Sequence, residues 1–469
     1  MNPADATPST GIRASLGWIA LLLSVVPPLA LAVAVASHAL DVPIEDQWGF
    51  ASEVIAFVRG DYAPAMIFQP VGQHRVVLPK LVMLPLAAAT GWDVRAEIWF
   101  DFATVVASLL LIADVARRTL RPWWPVAWAW TVPLASAALF SLASWQSWTW
   151  GWMMAAYLNV LPTVCVVWAL ARFGLHGPGP ALMTVAAIAA SLSFISGLTL
   201  LPLVPAALLA LPRDDRDVRR GRTIAIVATV LVAAALLYVA TYPRGMRAQT
   251  APTLAFRPLD LVLFTVRYVG TPLAAQSLDA AFRWGVAGLV ACAASAAIAW
   301  RRAPELRAAL LPWLLLAAYV VASGVVTGIG RLGAGPQLAI ASRYTTISAL
   351  FWVSLPPCLL LAARAAGLDR ASRRARGAAL LVAACALLVV ANAYLATWER
   401  GRGSLLGRSR AIAEGASCLR TQAAPADACL RQLNHVPQLV RRVAAELRPL
   451  RLGPFHDEAL PPDVPPATP

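Results

Sequence analysis

Long apolar runs alternate with short arginine clusters along most of the chain. A run of about 20 apolar residues forms a helix long enough to cross the hydrocarbon core of a bilayer. After a first run at 15–40, the pattern predicts spans near 97–116, 124–142, 151–172, 179–195, 197–211, 222–241, 284–300, 309–328, 345–364 and 378–397. We therefore predict an all-α polytopic membrane protein with about 11 transmembrane helices.

The composition supports the membrane class. Hydrophobic residues make up 59% of the chain and charged residues 13%, whereas a soluble domain carries about 25% charged residues. The net charge of +15 would suit a nucleic-acid partner if it formed one basic face. The basic residues instead fall in short clusters between apolar runs, which is typical of cytoplasmic loops. We expect membrane lipids as partners and no nucleic acid.

The arginine clusters also predict the orientation. Clusters at 117–121, 213–222, 301–307 and 364–376 are placed on the cytoplasmic side. We therefore expect a multi-pass protein of a bacterial inner membrane, with residues 1–14 in the cytoplasm and the C-terminus in the periplasm. The transmembrane domain is then 15–397, with a first external loop at 41–96. Within that loop, the short segments 48–58 and 76–90 are expected to lie along the membrane surface, because a crossing by 76–90 would invert every later loop.

Two further regions leave alternatives open. The runs 179–195 and 197–211 are short, so they are either two spans or half-helices around the polar break at 193–197. The polar tail at 398–469 is predicted to form a small external domain, helical near 405–422 and 426–448, with a disordered proline-rich end. Cys418 and Cys429 would lie in a compartment that permits a disulfide; we favour the bond over two free thiols.

The first candidate site follows the first span. Glu45 and Asp46 are adjacent carboxylates, with Trp48 two residues on. Such a pair could deprotonate an acceptor hydroxyl or hold a divalent cation against a phosphate. Alternatively, the aspartate could cap the helix that follows. The two roles are compatible.

Two other groups are predicted on the same side of the membrane. Gln73, His74 and Arg75, followed by Lys80, could form a phosphate clamp or anchor an interfacial helix among lipid headgroups. A glycine-rich segment at 328–336 contains Arg331 and leads to Arg343 and Tyr344 at the start of the next span. Backbone amides and guanidinium groups there could grip a phosphate, or the segment could be a flexible connector with interfacial anchors.

Four tryptophans crowd the segment 145–152. They suit an interfacial aromatic belt, or a wall along which a polyprenyl chain or a sugar ring packs.

Several of these segments resemble the GT-C superfamily, integral-membrane glycosyltransferases that use polyprenyl-phosphate sugars. The resemblance covers roughly 15–400 and rests on the layout of the first external loop and on segments 45–48, 73–75, 145–151, 193–202 and 330–346. It implies that Asp46 is the acidic residue of the first loop, with Glu45 as the competing candidate. It also implies donor-phosphate contacts at Arg75, Arg331 and Arg343.

The chain departs from better-known members of that superfamily in its later external loops. The region 242–283 offers only Asp260 and Asp279 as acidic residues, so a second acidic motif is missing. We therefore expect no metal site and no cofactor, with a divalent cation as the alternative.

The resulting function hypothesis is transfer of a sugar from a polyprenyl-phosphate carrier to a hydroxyl of a glycan, lipid or protein outside the membrane. One alternative is a multi-pass transporter or lipid flippase, which needs ionisable groups near mid-span and broken helices around a central site. Another is a non-catalytic envelope assembly protein. The observation that best distinguishes these hypotheses is whether Asp46, His74, Arg75 and Arg343 line a single external cavity.

Overall fold

The fold is described from a computed structural model, which describes residues 8–71, 74–212, 219–242, 257–421 and 425–456. All regular elements in these ranges are helical, and a single isolated bridge joins Val71 to His74. The predicted all-α class is confirmed. In chain order the α-helices are α1 (Pro8–Leu23), α2 (Val26–His38), α3 (Asp46–Arg59), α4 (Val77–Thr90), α5 (Val94–Leu120), α6 (Ala127–Leu139), α7 (Met154–Phe173), α8 (Gly179–Ser191), α9 (Leu200–Ala210), α10 (Arg220–Ala240), α11 (Pro258–Gly270), α12 (Leu278–Arg302), α13 (Arg307–Arg331), α14 (Ser342–Ala365), α15 (Arg373–Thr421), α16 (Asp427–Leu430) and α17 (Pro437–Leu447).

Nine helical segments of the described chain are long and apolar enough to cross a bilayer, and each coincides with a predicted span. They are Ser15–His38, Val94–Leu120, Ala127–Ser144, Gly151–Phe173, Arg220–Ala240, Leu278–Arg302, Pro304–Ala334, Ser342–Ala365 and Arg373–Thr421. The predicted total of 11 is not confirmed, because the runs at 179–195 and 197–211 form shorter helices.

Those two runs form a broken pair. Helix α8 has 13 residues and α9 has 11, so each is about 15–20 Å long, against about 30 Å for the hydrocarbon core. The break falls at 192–194, and a turn of 3₁₀ helix at Ile195–Thr199 begins the second half. A Cβ at Gly197 would overlap the backbone of Ala190, so the chain can double back this closely only with glycine there.

The first loop contains the two predicted surface helices. Helix α3 begins two residues before the predicted segment, and α4 covers 77–90. With 14 residues, α4 is about 21 Å long. That length is too short to cross a bilayer at full thickness, and the surface position of α4 stays a prediction.

The first loop and the C-terminal tail share one apolar core, separate from the core between the long helices. Val42, Trp48 and Trp92 pack there with Leu433 and Val443 of the tail. Helix α15 continues from the last span to Thr421, so the boundary predicted at 398 falls inside one helix. The predicted proline-rich end lies outside the described residues.

The tail is closed by a disulfide. Cys418, near the end of α15, is bonded to Cys429 in α16. Of the two alternatives left open by the sequence, the structure contains the bond.

Candidate active site

Three segments that are distant in the sequence meet at one cavity of about 680 Å³, here called the Asp46 cavity. It brings together Asp46 from the first loop, His74 from the second polar group, and Arg331, Arg343 and Tyr344 from the third. A second space of about 1040 Å³, the polar cavity, adjoins it and shares Asp46, Arg331 and Arg343. The two cavities also share Trp150, and the polar cavity is lined in addition by Glu45, Gln146, Thr149 and Arg408.

The side chain of Asp46 does not cap a helix. Helix α3 begins at Asp46 itself, and Glu45 holds the N-cap position without a capping hydrogen bond from its side chain. The capping alternative considered for Asp46 is therefore wrong. Its carboxylate lines the Asp46 cavity instead.

Neighbouring residues fix the start of α3. The buried Gln47 side chain accepts a hydrogen bond from the Ile44 N–H (3.3 Å) and donates one to Glu97 Oε2 (2.7 Å). Trp150 Nε1 donates to the Ile44 carbonyl oxygen (3.1 Å). These bonds tie the residues on both sides of Asp46 to the spanning helix α5 and to the tryptophan-rich segment.

Two guanidinium groups act on the Asp46 carboxylate. Burial raises the pKa of Asp46 above its ordinary value, and the charges of Arg331, Arg343 and His435 partly offset that rise. A carboxylate with a raised pKa is a stronger base than an exposed one, and the adjacent cations keep its ionised form accessible.

The position of Arg343 depends on the tryptophan-rich segment. The Gln146 N–H donates to Ser342 Oγ (3.2 Å), and the Arg343 N–H donates to Gln146 Oε1 (3.2 Å). The guanidinium carbon of Arg343 lies 5.1 Å from the centre of the Tyr344 ring. Arg343 thus stands in the first turn of α14, where the helix dipole also favours an anion.

His74 lines the Asp46 cavity. Its ring stacks on Phe194 with centroids 4.6 Å apart. Burial, together with the nearby Arg331 charge, lowers the pKa of His74 to about 4. The imidazole is therefore neutral near neutral pH, and the phosphate-clamp role of His74 stays a prediction.

Lys80 lies away from the cavity. Its fully buried ammonium group pairs with Glu53 Oε1 (2.8 Å) and donates to the carbonyl oxygens of Met66 (2.9 Å) and Gln69 (2.8 Å). These partners use the donors of the ammonium group. Lys80 is thus a structural residue of the first loop rather than a substrate contact at the Asp46 cavity.

Arg75 also lies apart, although it follows His74 directly. Its guanidinium donates to Thr241 Oγ1 and to the Thr241 carbonyl oxygen (both 2.7 Å), and it lies 5.0 Å from the centre of the Tyr238 ring. It lines a separate apolar cavity of about 1040 Å³ with Leu198 and other residues. The expectation that Arg75 shares the cavity of Asp46 is not met, and Gln73 lies outside the described residues.

The structure also distinguishes the two acidic candidates. Glu45 Oε1 accepts from Arg408 Nη2 (3.1 Å), and its other oxygen lies 3.9 Å from His435 Nδ1. Arg408 and His435 were not found from the sequence, because nothing in the tail pattern indicates a contact with a loop more than 300 residues earlier. Glu45 is engaged with the tail, whereas Asp46 is the carboxylate on which the charges of Arg331 and Arg343 act.

Two further carboxylates were missed. Glu97 and Asp101 lie one turn apart in the spanning helix α5 and are 1% and 0% exposed. Glu97 also accepts from Trp92 Nε1 (3.0 Å), and neither carboxylate oxygen of Asp101 has a hydrogen-bond partner among the described residues. The rule that ionisable residues inside a span are costly and functional would have identified both, since 97 and 101 fall in a predicted span.

Within the described ranges, no group of three or more His, Cys, Asp or Glu side chains is placed to hold a metal ion. The metal-free reaction stays a prediction.

A scan against protein-family models and a search of curated proteins gave no match. Among solved structures, the chain is similar to the crystal structure of ArnT from Cupriavidus metallidurans bound to undecaprenyl phosphate. The identity is 16% and the TM-score 0.40, with 93% of this chain and 79% of that chain covered. A similarity of this degree assigns neither an activity nor a ligand to this chain.

Proposed function

We propose that the chain is a membrane glycosyltransferase that moves a sugar from a polyprenyl-phosphate carrier to a hydroxyl acceptor. The observation that carries the proposal is the convergence of Asp46, Arg331 and Arg343 on one cavity. A base next to two phosphate-binding groups is the combination that this transfer needs. The same convergence counts against a non-catalytic assembly protein, whose polar segments have no reason to meet.

The proposed reaction is a direct displacement at the anomeric carbon. Asp46 accepts the proton of the acceptor hydroxyl while the hydroxyl oxygen bonds to that carbon. The bond from the anomeric carbon to the carrier phosphate breaks, and its electron pair leaves with the phosphate. Arg331 and Arg343 stabilise the negative charge that develops there.

The linings of the two cavities favour different substrates. Met153, Phe194 and Val326 give the Asp46 cavity apolar walls, which suit the part of the donor next to its lipid chain. Gln146 and Thr149 offer the polar cavity the hydrogen-bonding groups that suit a hydroxylated acceptor. We place the donor in the first cavity and the acceptor in the second, so that they meet at Asp46.

We place the reaction on the external face of a bacterial inner membrane, with the N-terminus in the cytoplasm. The support is the distribution of arginine clusters, which puts the loop carrying Asp46 outside. The acceptor is a glycan, lipid or protein accessible from that face.

The test is Asp46→Asn in purified protein reconstituted into liposomes with a panel of undecaprenyl-phosphate hexoses and pentoses. Loss of a general base is expected to lower transfer by at least about 100-fold. Asp61→Asn is the matched control, because Asp61 is exposed and belongs to the same loop. Transfer at the unmodified rate by the Asp46→Asn protein would remove the proposed base.

A transporter or lipid flippase is the second candidate. The observation that favours it is the pair of buried carboxylates, Glu97 and Asp101, within a spanning helix. The test is translocation of a fluorescent polyprenyl phosphate across the same liposomes. Translocation that is lost in Asp101→Asn and retained in Asp46→Asn would replace the transferase proposal.

A further inference from the structure

Glu45 has a backbone conformation that side-chain-bearing residues rarely adopt. Its φ is 49° and its ψ is −121°. Such a conformation is costly and persists only where the surroundings impose it. Because Glu45 directly precedes Asp46, its ψ angle sets the direction in which α3 begins.

The C-terminal tail supplies the contacts that impose this conformation. The Glu45 N–H donates to the Leu433 carbonyl oxygen (2.8 Å), and Asn434 Nδ2 donates to the Glu45 carbonyl oxygen (2.8 Å). Arg408 binds the side chain at 3.1 Å. Both backbone polar groups and the carboxylate of Glu45 are therefore held by residues of the tail.

Asn434 is itself fixed in place. Its side chain is buried (3% exposed), and its Oδ1 accepts from the Val436 N–H at 2.7 Å. With its oxygen held in this way, the amide presents its nitrogen to Glu45.

We infer that Asn434 is a positioning residue for Asp46: with Leu433, it holds the Glu45 backbone in its positive-φ conformation and so aims the Asp46 carboxylate into the cavity. The expected effect of Asn434 on catalysis rests on the proposed function, whereas the positioning of Asp46 by Asn434 does not depend on it. The disulfide between Cys418 and Cys429 closes the segment just before Leu433. Close packing of Gly415 against Leu433 further fixes the position of Leu433, since a Cβ at Gly415 would lie 2.8 Å from Leu433 Cγ.

The first measurement is independent of activity. Carbodiimide-driven labelling of carboxyl groups, read by mass spectrometry on the full chain in detergent, reports how accessible Asp46 is. In Asn434→Ala we expect the labelling of Asp46 to change several-fold relative to the exposed Asp61. Gln432→Ala is the control, because Gln432 is a neighbouring amide, whereas the tail's hydrogen bonds to Glu45 come from Leu433, Asn434 and Arg408. Unchanged labelling of Asp46 would overturn the inference.

The second measurement is turnover in the reconstituted transfer assay. A misplaced base should lower kcat by about 10- to 100-fold and leave the KM for the donor within twofold, because binding is untouched. In an Asp46→Asn background, Asn434→Ala should cause no further loss, since it acts through Asp46. A loss that persists in that background would show a general structural effect and overturn the inference.

A second variant and the two readouts keep the outcomes separate. If Asn434→Ala does not fold, Asn434→Asp keeps the acceptor for Val436 but cannot donate to Glu45 when ionised. Altered Asp46 labelling without sugar transfer by any variant would refute the proposed function and leave the positioning role intact. Normal labelling of Asp46 in Asn434→Ala, combined with loss of transfer in Asp46→Asn, would refute the positioning role and leave the proposed function intact.

Discussion

Gly151 lies where the tryptophan-rich segment passes the start of α3, and Gly151→Ala should therefore perturb the site through one methyl group. A Cβ at this position would overlap Glu97 Oε2 and lie 3.0 Å from Gln47 Nε2. The carboxylate must move away, and the 2.7 Å hydrogen bond between Glu97 and Gln47 breaks.

The size of the effect follows from the burial of this pair. Glu97 is 1% exposed and Gln47 is 0% exposed, so water cannot replace the lost bond. A hydrogen bond contributes about 0.5–1.5 kcal/mol, and leaving a buried partner unsatisfied costs about 1–3 kcal/mol more. We expect a loss of about 3 kcal/mol, seen as a fall of about 5 °C in the unfolding midpoint. Because Gln47 adjoins Asp46, kcat should fall by about tenfold.

The assay is thermal unfolding in detergent together with transfer in liposomes. Gly49→Ala is the matched control, because Gly49 lies in α3 and a Cβ at that position meets nothing within 4 Å. In a Glu97→Ala background, Gly151→Ala should cost less than in the unmodified chain, since the carboxylate is gone and only the contacts with Cβ of residue 97 (2.9 Å) and Gln47 Nε2 (3.0 Å) remain. If Gly151→Ala behaves like Gly49→Ala, the Glu97–Gln47 bond does not hold the start of α3.

Two further predictions concern charge. Arg331 lowers the pKa of Asp46 against the effect of burial, and the base acts only when ionised. Arg331→Gln should therefore raise the pKa of Asp46 and move the acid limb of the pH–kcat/KM profile to higher pH, whereas substitution of the exposed Arg410 by Gln should leave that limb in place. An unmoved limb in Arg331→Gln would contradict the proximity of Arg331 to Asp46. Lys80→Met leaves the half-buried Glu53 carboxylate without its cation and should destabilise the protein by about 3 kcal/mol, with part of the loss recovered by adding Glu53→Gln. Unfolding midpoints test both variants, and an unchanged midpoint in Lys80→Met would show that the pair is not needed.

The helices were predictable because their signal is local. Any run of about 20 apolar residues must avoid water, whatever the rest of the chain does. Helices 94–120 and 342–365 accordingly lie within a few residues of their predicted bounds. For the short pair α8 and α9, the sequence left two spans or half-helices around 193–197 as alternatives, and the structure was needed to show the broken pair.

Part of the candidate site was also predictable. Asp46, His74, Arg331 and Arg343 were placed on one side of the membrane by the topology, and they line one cavity. The predicted topology placed Arg75 and Lys80 on the same side of the membrane, but neither residue lines the Asp46 cavity. Their partners, such as Thr241 for Arg75, come from other parts of the chain, and a sidedness argument cannot identify them.

The sequence by itself determined the membrane class, the positions of most helices and the charged segments worth considering. The tertiary structure decided which of two adjacent carboxylates faces the arginines. That choice depends on Arg408 and Asn434, which bind Glu45. The physical reason is that a charge acts on whatever lies within a few ångströms of it, and such neighbours are set by chain folding rather than by position in the sequence.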